Sequence, residues 1–518
     1  MKFYTNFSLF RNKIYVRGYE DGKQFFEQNP YSPTLFLKSN EKTDYVSLNR
    51  EPVKPINFPT PRDARDFTKQ YQGVDNFEIY GFPNFEYTAI SEWYPGKIEY
   101  DPSVVRTFAI DLEVQVGSDS YGTPIEGVSH DEFPEPSEAK WPITAISVVY
   151  NEKCICFGLG KFDVNSLTEK YELPIVFKSY THERDLLTAF MSFWNMVNPD
   201  IITGWNIETF DIPYLVNRYR NVLGEDYPKK FSPYGQIRAK NFTGRFGKEE
   251  QTFLFEGVAI LDYIQLYQKH TFVTQESYRL DHIAWVELSE RKLEYEGNLF
   301  DLYLENPQLF FEYNCKDSML VYRLNKKLGL LELVMNVSYF TKINYDDVSS
   351  PVKTWDVIIA NRLLEGGVVV PYDTPHQDSQ SYEGAYVKDP IVGRYGWLVS
   401  VDADSLYPTL IRSFNIGPDT YIKPHEMNDE LLSLRERIQL SGVTSLVEQK
   451  IDTSIVKKYD VCVAANGEMY KRDHEGILSI LIDELYSGRK SDKKDMLKAK
   501  STAEKIRQEL EHRGIHID

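Results

Sequence analysis

Two acidic residues, Asp111 and Glu113, stand two positions apart in the apolar stretch FAIDLEV. Strand residues at positions i and i+2 point to the same face of a sheet, so these carboxylates would share one face. Two carboxylates on an apolar strand are costly to bury unless a cation neutralises them. An exposed strand face is the alternative for the pair alone; a buried pair predicts a site for divalent metal ions.

Two later segments add to this acidic set. Asp211 follows the Gly-Trp-Asn turn of TGWNIETFDIPY, where it is also suited to be the N-cap of the next helix. Tyr313 and Asp317 are four residues apart in FFEYNCKDSMLVYRL and share one face of a predicted helix, unless they are a solvated acid beside a half-buried tyrosine. Four acids from a strand, a turn and a helix would supply oxygen ligands for two hard cations roughly 4 Å apart. Such ions can activate water against a phosphodiester, with Tyr313 orienting the water.

A third candidate is Asp402 in VDADSLYPTLIR. It follows the apolar run YGWLVS, which predicts a strand beginning near Arg394, and it precedes the start of an apolar helix. A carboxylate at the end of a buried strand also suggests a metal site. Two divalent ions usually need a second carboxylate from another element, and this segment does not provide one.

These residues require strands and helices that alternate along the chain. From about residue 106, VVRTFAIDLEV and WPITAISVVYN predict strands, and ERDLLTAFMSFWNMVNP predicts a helix because its apolar residues recur every three or four positions. This alternation predicts an α/β domain. Residues 1 to about 105 mix short strands with Pro and Asn turns, residues 330–372 are predicted to be mostly helical, and a long charged helix is predicted from about Leu478.

Composition narrows the class of protein. The 518 residues are 42% hydrophobic and 26% charged, as expected for a soluble globular chain. A net charge of -18 argues against a surface that binds phosphate everywhere, although local basic patches remain open. No apolar run approaches the roughly 20 residues that cross a bilayer, and the N-terminus does not have the pattern of a signal peptide, so we expect no membrane partner and a cytoplasm-like compartment. The four cysteines lack zinc-site spacing and are predicted to be free thiols.

The first three motifs together resemble a known family. Three segments, DLE, NIETFDIPY and YNCKD, are similar in order and spacing to the three motifs of the DEDDy exonuclease domain of family B DNA polymerases. The sequence ITGWNIETFDIPY is most similar to that of the T-even-type bacteriophage group. The resemblance implies a ribonuclease H-like fold and two Mg²⁺ or Mn²⁺ ions held by Asp111, Glu113, Asp211 and Asp317. It also implies that Tyr313 positions the water that removes a mispaired 3′ nucleotide.

The segment around Asp402 resembles another part of the same family. DADSLYP is similar to motif A of the polymerase palm, which implies that Asp402 is a catalytic metal ligand. It also implies that Ser405 and Leu406 contact the triphosphate and that Tyr407 lies under the incoming sugar; Asp404 is given no role. YEGAYVKDP resembles the connector that contacts template DNA, and GILSILIDELYSGRKSDKKDMLKAK resembles the first fingers helix. Three residues of that helix would face the triphosphate: Arg489, Lys490 and Lys493.

Part of the family pattern is absent from the sequence. It contains neither the Y-G-D-T-D-S string of motif C nor the K-x-x-x-N-S-x-Y-G string of motif B. We therefore expect the second polymerase carboxylate on a separate C-terminal half, so that two metal ions enter the polymerase site only after assembly. The implied partners are primer-template DNA, a deoxynucleoside triphosphate, this C-terminal half and, through it, a sliding clamp. The implied location is the cytoplasm of an infected bacterial host.

The resemblance predicts an α/β and α+β multidomain chain. The expected division is an N-terminal domain over 1–105 with 330–372 returning to it, the exonuclease domain over 106–329, a partial palm over 373–475 and the first part of the fingers over 476–518. One subunit of a split polymerase and a fragment of an intact polymerase both fit this pattern. A non-catalytic regulatory protein that binds nucleic acid is a further alternative, because the N-terminal domain of this group can bind RNA.

Overall fold

The chain forms two compact units. The first comprises Met1–Pro33, Asn57–Gln70 and Asn84–Ile358, and the second comprises Thr34–Ile56, Tyr71–Pro83 and Ile359–Asp518. The computed structural model describes residues 1–74, 77–130, 132–168, 170–243, 249–372, 389–403 and 405–513. The predicted mixture of α/β and α+β structure is confirmed, and the predicted domain boundaries stay a prediction.

A mixed six-stranded sheet is the centre of the first unit. Its strands, in spatial order, are β11 (Ile175–Tyr180), β10 (Lys153–Leu159), β9 (Ile143–Tyr150), β8 (Thr107–Val114), β12 (Ile201–Gly204) and β15 (Ala259–Asp262). β8 pairs antiparallel with β9 and parallel with β12, so it lies inside the sheet. Both faces of β8 and β9 are largely buried, which agrees with the β-branched and apolar residues of the predicted strands.

Helices pack on this sheet or on one another, and they supply part of the site. They are α3 (Glu183–Val197), α4 (Asp211–Leu223), α5 (Tyr263–His270), α6 (Leu280–Leu288), α7 (Leu299–Glu305), α8 (Pro307–Leu328) and α9 (Leu330–Thr341). α8 begins where the Asn306 side chain accepts a hydrogen bond from the Leu309 amide, with Pro307 at the first position. It ends at Gly329, whose φ of 63° is the left-handed conformation that glycine adopts without a penalty. α8 packs directly on β8 and β9.

The N-terminal part of the first unit is connected to the six-stranded sheet by a buried ion pair. Its antiparallel sheet consists of β1 (Lys2–Phe10), β2 (Lys13–Glu20) and β3 (Lys23–Pro30). Arg17 on β2 lies 2.9 Å from Asp200, and both side chains are fully buried. Asp200 directly precedes β12, so this contact fixes the N-terminal sheet against the element that leads to the Gly-Trp-Asn turn.

The first unit contains further α-helices and a strand pair outside the two sheets described above. They are α1 (Pro61–Tyr71), α2 (Phe85–Trp93), the hairpin of β13 (Ile237–Thr243) with β14 (Glu249–Phe255), and α10 (Pro351–Glu365), which leads into the second unit. The predicted helical character of residues 330–372 is confirmed by α9 and α10.

The second unit contains a small sheet and a helical segment. The sheet runs β16 (Val368–Val369), β5 (Tyr45–Ser47), β6 (Pro52–Asn57), β4 (Thr34–Lys38) and β7 (Ile79–Tyr80). β16 pairs parallel with β5, so the chain after α10 returns to strands from the N-terminal part of the sequence. The later elements are α11 (Leu406–Phe414), α12 (Asp429–Val447), α13 (Ile455–Lys458), β17 (Val461–Val463), β18 (Met469–Lys471) and α14 (Ile477–His512).

The predicted strand that begins near Arg394 is wrong in this structure. Residues 389–403 include no strand, and the side chains of Trp397 and Val401 are 98% and 89% exposed. A strand is stable only when neighbouring strands satisfy its backbone groups and cover its apolar face. The predicted long charged helix is confirmed as α14. In the described part of the chain, no helix is long and apolar enough to cross a membrane.

Candidate nuclease site

Three carboxylates converge at the centre of the six-stranded sheet. Asp111 and Glu113 project from one face of β8, and Asp317 reaches them from α8. One oxygen from each lies within 4.8 Å of the other two. Within the described ranges, no other group of three acid, histidine or cysteine side chains comes this close. The structure therefore brings together residues that are more than 200 positions apart in the sequence.

The side chain of Asp211 is hydrogen-bonded to the backbone of the same strand, β8. It is the first residue of α4, and its Oδ1 accepts a hydrogen bond of 3.0 Å from the amide of Leu112. Leu112 lies between the two acids of β8, so this bond fixes the fourth acid beside them. The alternative N-cap role is not what the structure has, since the N-cap position belongs to Phe210. Asp211 is not one of the three acids in the closest group.

Burial makes the charged forms of these acids unfavourable. Burial, and then the negative charge of Asp317, raises the pKa of Glu113 to about 8. Burial raises the pKa of Asp211 to about 7, and it raises the pKa of Asp111 well above its usual value, with Asp317 as the next cause. Four carboxylates that resist ionisation together have the electrostatics of a cation site.

A direct sign that the acids suit a cation is the orphaned oxygen of Asp317. This side chain is 3% exposed, and its Oδ1 has no hydrogen-bond partner among the described residues. A buried carboxylate oxygen without a partner costs free energy that a bound metal ion would recover. Oxygen donors are also the ligands that Mg²⁺ and Mn²⁺ prefer. The residues present therefore fit the implied ions.

Lys292 is a member of the site that the sequence did not indicate. It lies between α6 and α7, and its Nζ donates 2.9 Å to the hydroxyl of Tyr313 and also donates to Oδ2 of Asp317. Burial works against its charge, but Asp317, Tyr313 and Asp111 together raise the pKa of Lys292 above its usual value. It is therefore a permanent cation. The single positive charge of Lys292 does not neutralise four carboxylates. The sequence did not indicate Lys292 because no motif spacing relates it to the acids.

Asp262 is a second residue that the sequence did not indicate. It ends β15 and is 2% exposed, and it accepts hydrogen bonds from the backbone amides of Asn206, Glu208 and Ile264 at 2.9, 3.1 and 3.2 Å. These bonds hold the turn that leads to Asp211. Burial raises the pKa of Asp262 to about 7. The sequence did contain a signal for Asp262, because this acid directly follows the apolar run VAIL, which is typical of a buried strand. That strand, β15, pairs in parallel with β12, so its end lies beside the end of β12.

An aromatic cavity lies directly beside the acids. Its volume is about 420 Å³, and Glu113 is in its wall. Phe133, Phe210 and Phe300 also line it, and Phe133 is 64% exposed. The ring of Phe300 stacks on His130 with centroids 3.6 Å apart, which holds it in place. Partly exposed rings beside a carboxylate cluster provide faces on which flat, unpaired bases can stack.

The residues predicted around Asp402 are exposed or, for Ser405, partly exposed, and they are not gathered into a comparable cluster among the described residues. Asp402 lies in the irregular, exposed segment before α11, so its predicted place at the end of a buried strand is wrong here. Asp404 and most of YEGAYVKDP lie outside the described residues. Ser405 has a left-handed φ of 52°, and α11 starts at Leu406. Tyr407, in the first turn of α11, is 74% exposed.

The predicted triphosphate-binding residues lie on α14. Arg489, Lys490 and Lys493 are all exposed, and the Nζ of Lys490 lies 4.3 Å from the centre of the Tyr486 ring. α14 packs against α11, and Arg412 of α11 forms an ion pair with Asp483 of α14. The structure thus places the predicted motif A helix against the predicted first fingers helix.

The sheet with four acids and a tyrosine on an adjacent helix defines the first unit as a ribonuclease H-like exonuclease fold. The profile described as "DNA polymerase family B, exonuclease domain" matches residues 123–283, and the one described as "DNA polymerase family B" matches residues 353–513. Asp211 lies in the first match, and Asp402 and the α14 cations lie in the second. Asp111, Glu113 and Asp317 lie outside both.

Curated relatives extend the similarity along the chain. The DNA-directed DNA polymerase of Escherichia phage RB69 is 32% identical over 544 residues, covering 100% of this chain and 56% of that protein. That of Enterobacteria phage T4 is 32% identical over 531 residues, covering 98% and 55%. The DNA polymerase delta catalytic subunit of Bos taurus is 27% identical over 261 residues, covering 48% and 23%. The chain spans about half the length of the phage relatives. It belongs to family B of the DNA polymerases.

Proposed function

We propose that the first unit is a 3′–5′ exonuclease that hydrolyses the terminal phosphodiester of single-stranded DNA. The observation that carries this proposal is that one carboxylate oxygen each of Asp111, Glu113 and Asp317 lies within 4.8 Å of the other two, and that a buried oxygen of Asp317 has no partner among the described residues. These three acids and Asp211 would hold two Mg²⁺ or Mn²⁺ ions. When bound, such ions activate water and stabilise the leaving oxygen of a phosphodiester.

The protein's own groups would orient the reactants. The hydroxyl of Tyr313 accepts a hydrogen bond from Lys292, and in this position it would contact the attacking water. Lys292 also donates to Oδ2 of Asp317, and Oδ1 of the same carboxylate has no partner among the described residues. Tyr313 would therefore position the water, and Lys292 would position Tyr313 and Asp317. Burial and the negative charge of Asp317 raise the pKa of Tyr313 above its usual value, so it remains a hydroxyl donor.

The aromatic cavity beside Glu113 supports a single-stranded substrate. Bases stack on Phe, Tyr and Trp rings with about 1–3 kcal/mol each and with little sequence preference. Paired bases in a duplex do not offer their faces to a protein, whereas an unpaired 3′ end does. Phe133, Phe210 and Phe300 would therefore hold the last nucleotides with the scissile bond next to Glu113.

An assay with end-labelled DNA tests this proposal. The chain, supplied with Mg²⁺ or Mn²⁺, should shorten a 5′-labelled single strand from its 3′ end and release nucleoside 5′-monophosphates. Asp111→Ala with Glu113→Ala should remove this activity, while Glu365→Ala, an exposed acid on α10 outside the site, should not. Binding of DNA or RNA with no hydrolysis under any metal condition would instead favour the regulatory alternative.

We also propose that the chain is part of a DNA-directed DNA polymerase whose motifs B and C are carried by a further polypeptide segment. Asp402 would hold the polymerase metals with the carboxylate of motif C, so both ions would bind only after assembly. Ser405, Leu406 and Tyr407 would contact the incoming nucleotide, and Arg489, Lys490 and Lys493 would contact its triphosphate. Primer-template DNA and, through the added segment, a sliding clamp would be partners. The matched phage polymerases support the cytoplasm of an infected bacterial host as the site of action.

The exposed apolar segment before α11 supports this second proposal. The side chains of Leu398 and Val399 are 84% and 85% exposed, and those of Trp397 and Val401 are exposed to a similar degree. Contiguous apolar surface of this kind marks a face that another segment covers. Mixing the chain with a polypeptide that carries motifs B and C should produce primer extension, and the mixture should protect residues 397–401 from proteolysis. No extension and no protection at high concentrations of both would contradict the proposal.

A further inference from the structure

Asn314 lies beneath the acids and is fully buried, although neither the motifs nor the proposed mechanism give it a task. It sits on α8 between Tyr313 and Asp317. Its Nδ2 donates 2.7 Å to Oδ2 of Asp111 and 3.3 Å to the backbone oxygen of the same residue. One amide group thus contacts a carboxylate oxygen and the backbone oxygen of the same metal-site residue. This is the contact that connects α8 to the Asp111 side chain.

The chemistry of the neighbours fixes which way the amide faces. With a metal ion bound, the Asp111 carboxylate would be ionised and could only accept hydrogen bonds, so the NH₂ group is the end that suits Asp111. The opposite end, Oδ1, lies 3.9 Å from the thiol sulfur of Cys156, which is a weak donor. A separate bond, of 2.8 Å, runs from the hydroxyl of Ser147 to the backbone oxygen of Asn314. Asn314 is therefore held from β9 and β10 while it holds β8.

We propose that Asn314 is a positioning residue that sets the orientation of Asp111 for metal binding. Its bond occupies Oδ2 and fixes the plane of the carboxylate, so that the remaining lone pairs of Asp111 face Glu113 and Asp317. Partners that orient a metal ligand in this way typically change metal affinity about 10- to 100-fold when they are removed. The inference rests on the proposed nuclease function, because it assigns Asn314 a role in the same metal site.

A purely structural role would have a different signature. Asn314 and Ser147 are both fully buried, and Ser147 is the cross-strand partner of Asp111, but of the two only Asn314 donates a hydrogen bond to the Asp111 carboxylate. Ser147→Ala removes a buried hydrogen bond to the same helix residue and leaves the Asp111 contact in place. It is therefore the matched control: both variants lose packing or hydrogen bonding, and only Asn314→Leu loses the donor to the metal ligand.

The test measures metal binding apart from catalysis. Mn²⁺ is titrated into the full chain without DNA, with bound ion followed by calorimetry and by electron paramagnetic resonance, and melting temperatures are recorded in EDTA. Asn314→Leu should weaken Mn²⁺ binding about 10- to 100-fold, and it should raise the Mg²⁺ concentration that half-saturates cleavage. Ser147→Ala should lower the melting temperature and leave Mn²⁺ affinity unchanged. If Asn314→Leu does not fold, Asn314→Ser removes the amide without added apolar bulk and takes its place.

The outcomes separate this inference from the proposal beneath it. Wild-type Mn²⁺ affinity in a folded Asn314 variant would overturn the positioning role, even if the variant were less stable. Equal losses of affinity in Asn314→Leu and Ser147→Ala would also overturn it, because the effect would then come from α8 packing. Failure of the wild-type chain to bind Mn²⁺ or to cut DNA would overturn the nuclease proposal itself.

Discussion

The Nζ of Lys292 lies 2.9 Å from the hydroxyl of Tyr313 and donates a hydrogen bond to it. The same ammonium group is the cationic partner of Asp317. A single side chain from the segment between α6 and α7 therefore sets both the tyrosine and one of the acids, although it lies 21 and 25 residues before them.

Replacing Lys292 should impair both the reaction and the fold. Lys292→Met should slow exonuclease cleavage about 10- to 100-fold, because Tyr313 and Asp317 both lose the group that orients them. In EDTA it should lower the free energy of unfolding by about 1–3 kcal/mol, since a largely buried carboxylate loses a hydrogen bond. The measurements are single-turnover cleavage and denaturant unfolding. Lys326→Met, which removes an exposed pair with Glu172, should change neither by a comparable amount.

Tyr313 should matter less than the metal ligands. Tyr313→Phe removes the hydroxyl that positions water but leaves every carboxylate in place, so we expect a reduced rate with unchanged Mn²⁺ affinity. Asp111→Ala with Glu113→Ala should remove both activity and metal binding. Comparison of rate and affinity across the two variants checks this. Complete loss of Mn²⁺ binding in Tyr313→Phe would mean that Tyr313 has a structural rather than a water-positioning role.

The metal-free protein should lose stability as pH rises. The pKa of Glu113 is raised from 4.5 to about 8, so the folded state keeps a proton that the unfolded state releases near pH 4.5. The stabilising contribution of this proton is complete below pH 4.5 and is lost as pH rises through about 8. Melting temperatures in EDTA should fall across this range, and the slope should be smaller in Glu113→Gln. Added Mg²⁺ should stabilise the protein more at pH 8 than at pH 6; a slope unaffected by Glu113→Gln would contradict this assignment.

The buried pair of Arg17 and Asp200 should be a major source of stability in the first unit. Both side chains are fully buried, and Asp200 also accepts 2.6 Å from the hydroxyl of Tyr19. Arg17→Met should lower the free energy of unfolding by about 3–5 kcal/mol, because Asp200 is left as a buried charge without its cation. Arg62→Met is the control: its pair with Asp66 is exposed, and its loss should cost less than about 1 kcal/mol. Equal effects of the two variants in denaturant unfolding would contradict the burial argument.

The two candidate sites should be separable by mutation. Asp402→Ala should stop primer extension in the mixture with motifs B and C and leave exonuclease cleavage unchanged, because Asp402 lies in the second unit and the nuclease acids lie in the first. Tyr407→Ala in that mixture should allow incorporation of ribonucleotides, since the ring would no longer contact the 2′ position. Loss of exonuclease cleavage in Asp402→Ala would contradict separate sites.

Sequence patterns predicted the parts of the nuclease site that depend on local geometry. Alternation placed Asp111 and Glu113 on one face of a strand, and four-residue spacing placed Tyr313 and Asp317 on one face of a helix. Lys292 and Asn314 were missed because their contacts join elements that periodicity does not relate. Asn314, for example, reaches Asp111 across 203 residues.

The main error of the sequence analysis has a different physical cause. The apolar run YGWLVS indicates a strand, but Trp397 to Val401 have no neighbouring strand among the described residues and remain exposed. A local sequence pattern indicates only that a segment is suited to be a strand of a sheet. It does not report whether the strands that would complete the sheet are present.

The position of bound Mn²⁺ tests the central claim most directly. Crystals of the chain soaked in Mn²⁺ with a deoxynucleoside 5′-monophosphate, measured by anomalous scattering, should show metal held by oxygens of Asp111, Glu113 and Asp317, with Asp211 beside it. The same soak of Asp111→Ala with Glu113→Ala should show none there. Anomalous density absent from these acids in the wild-type protein at millimolar Mn²⁺, or located only elsewhere, would contradict the account.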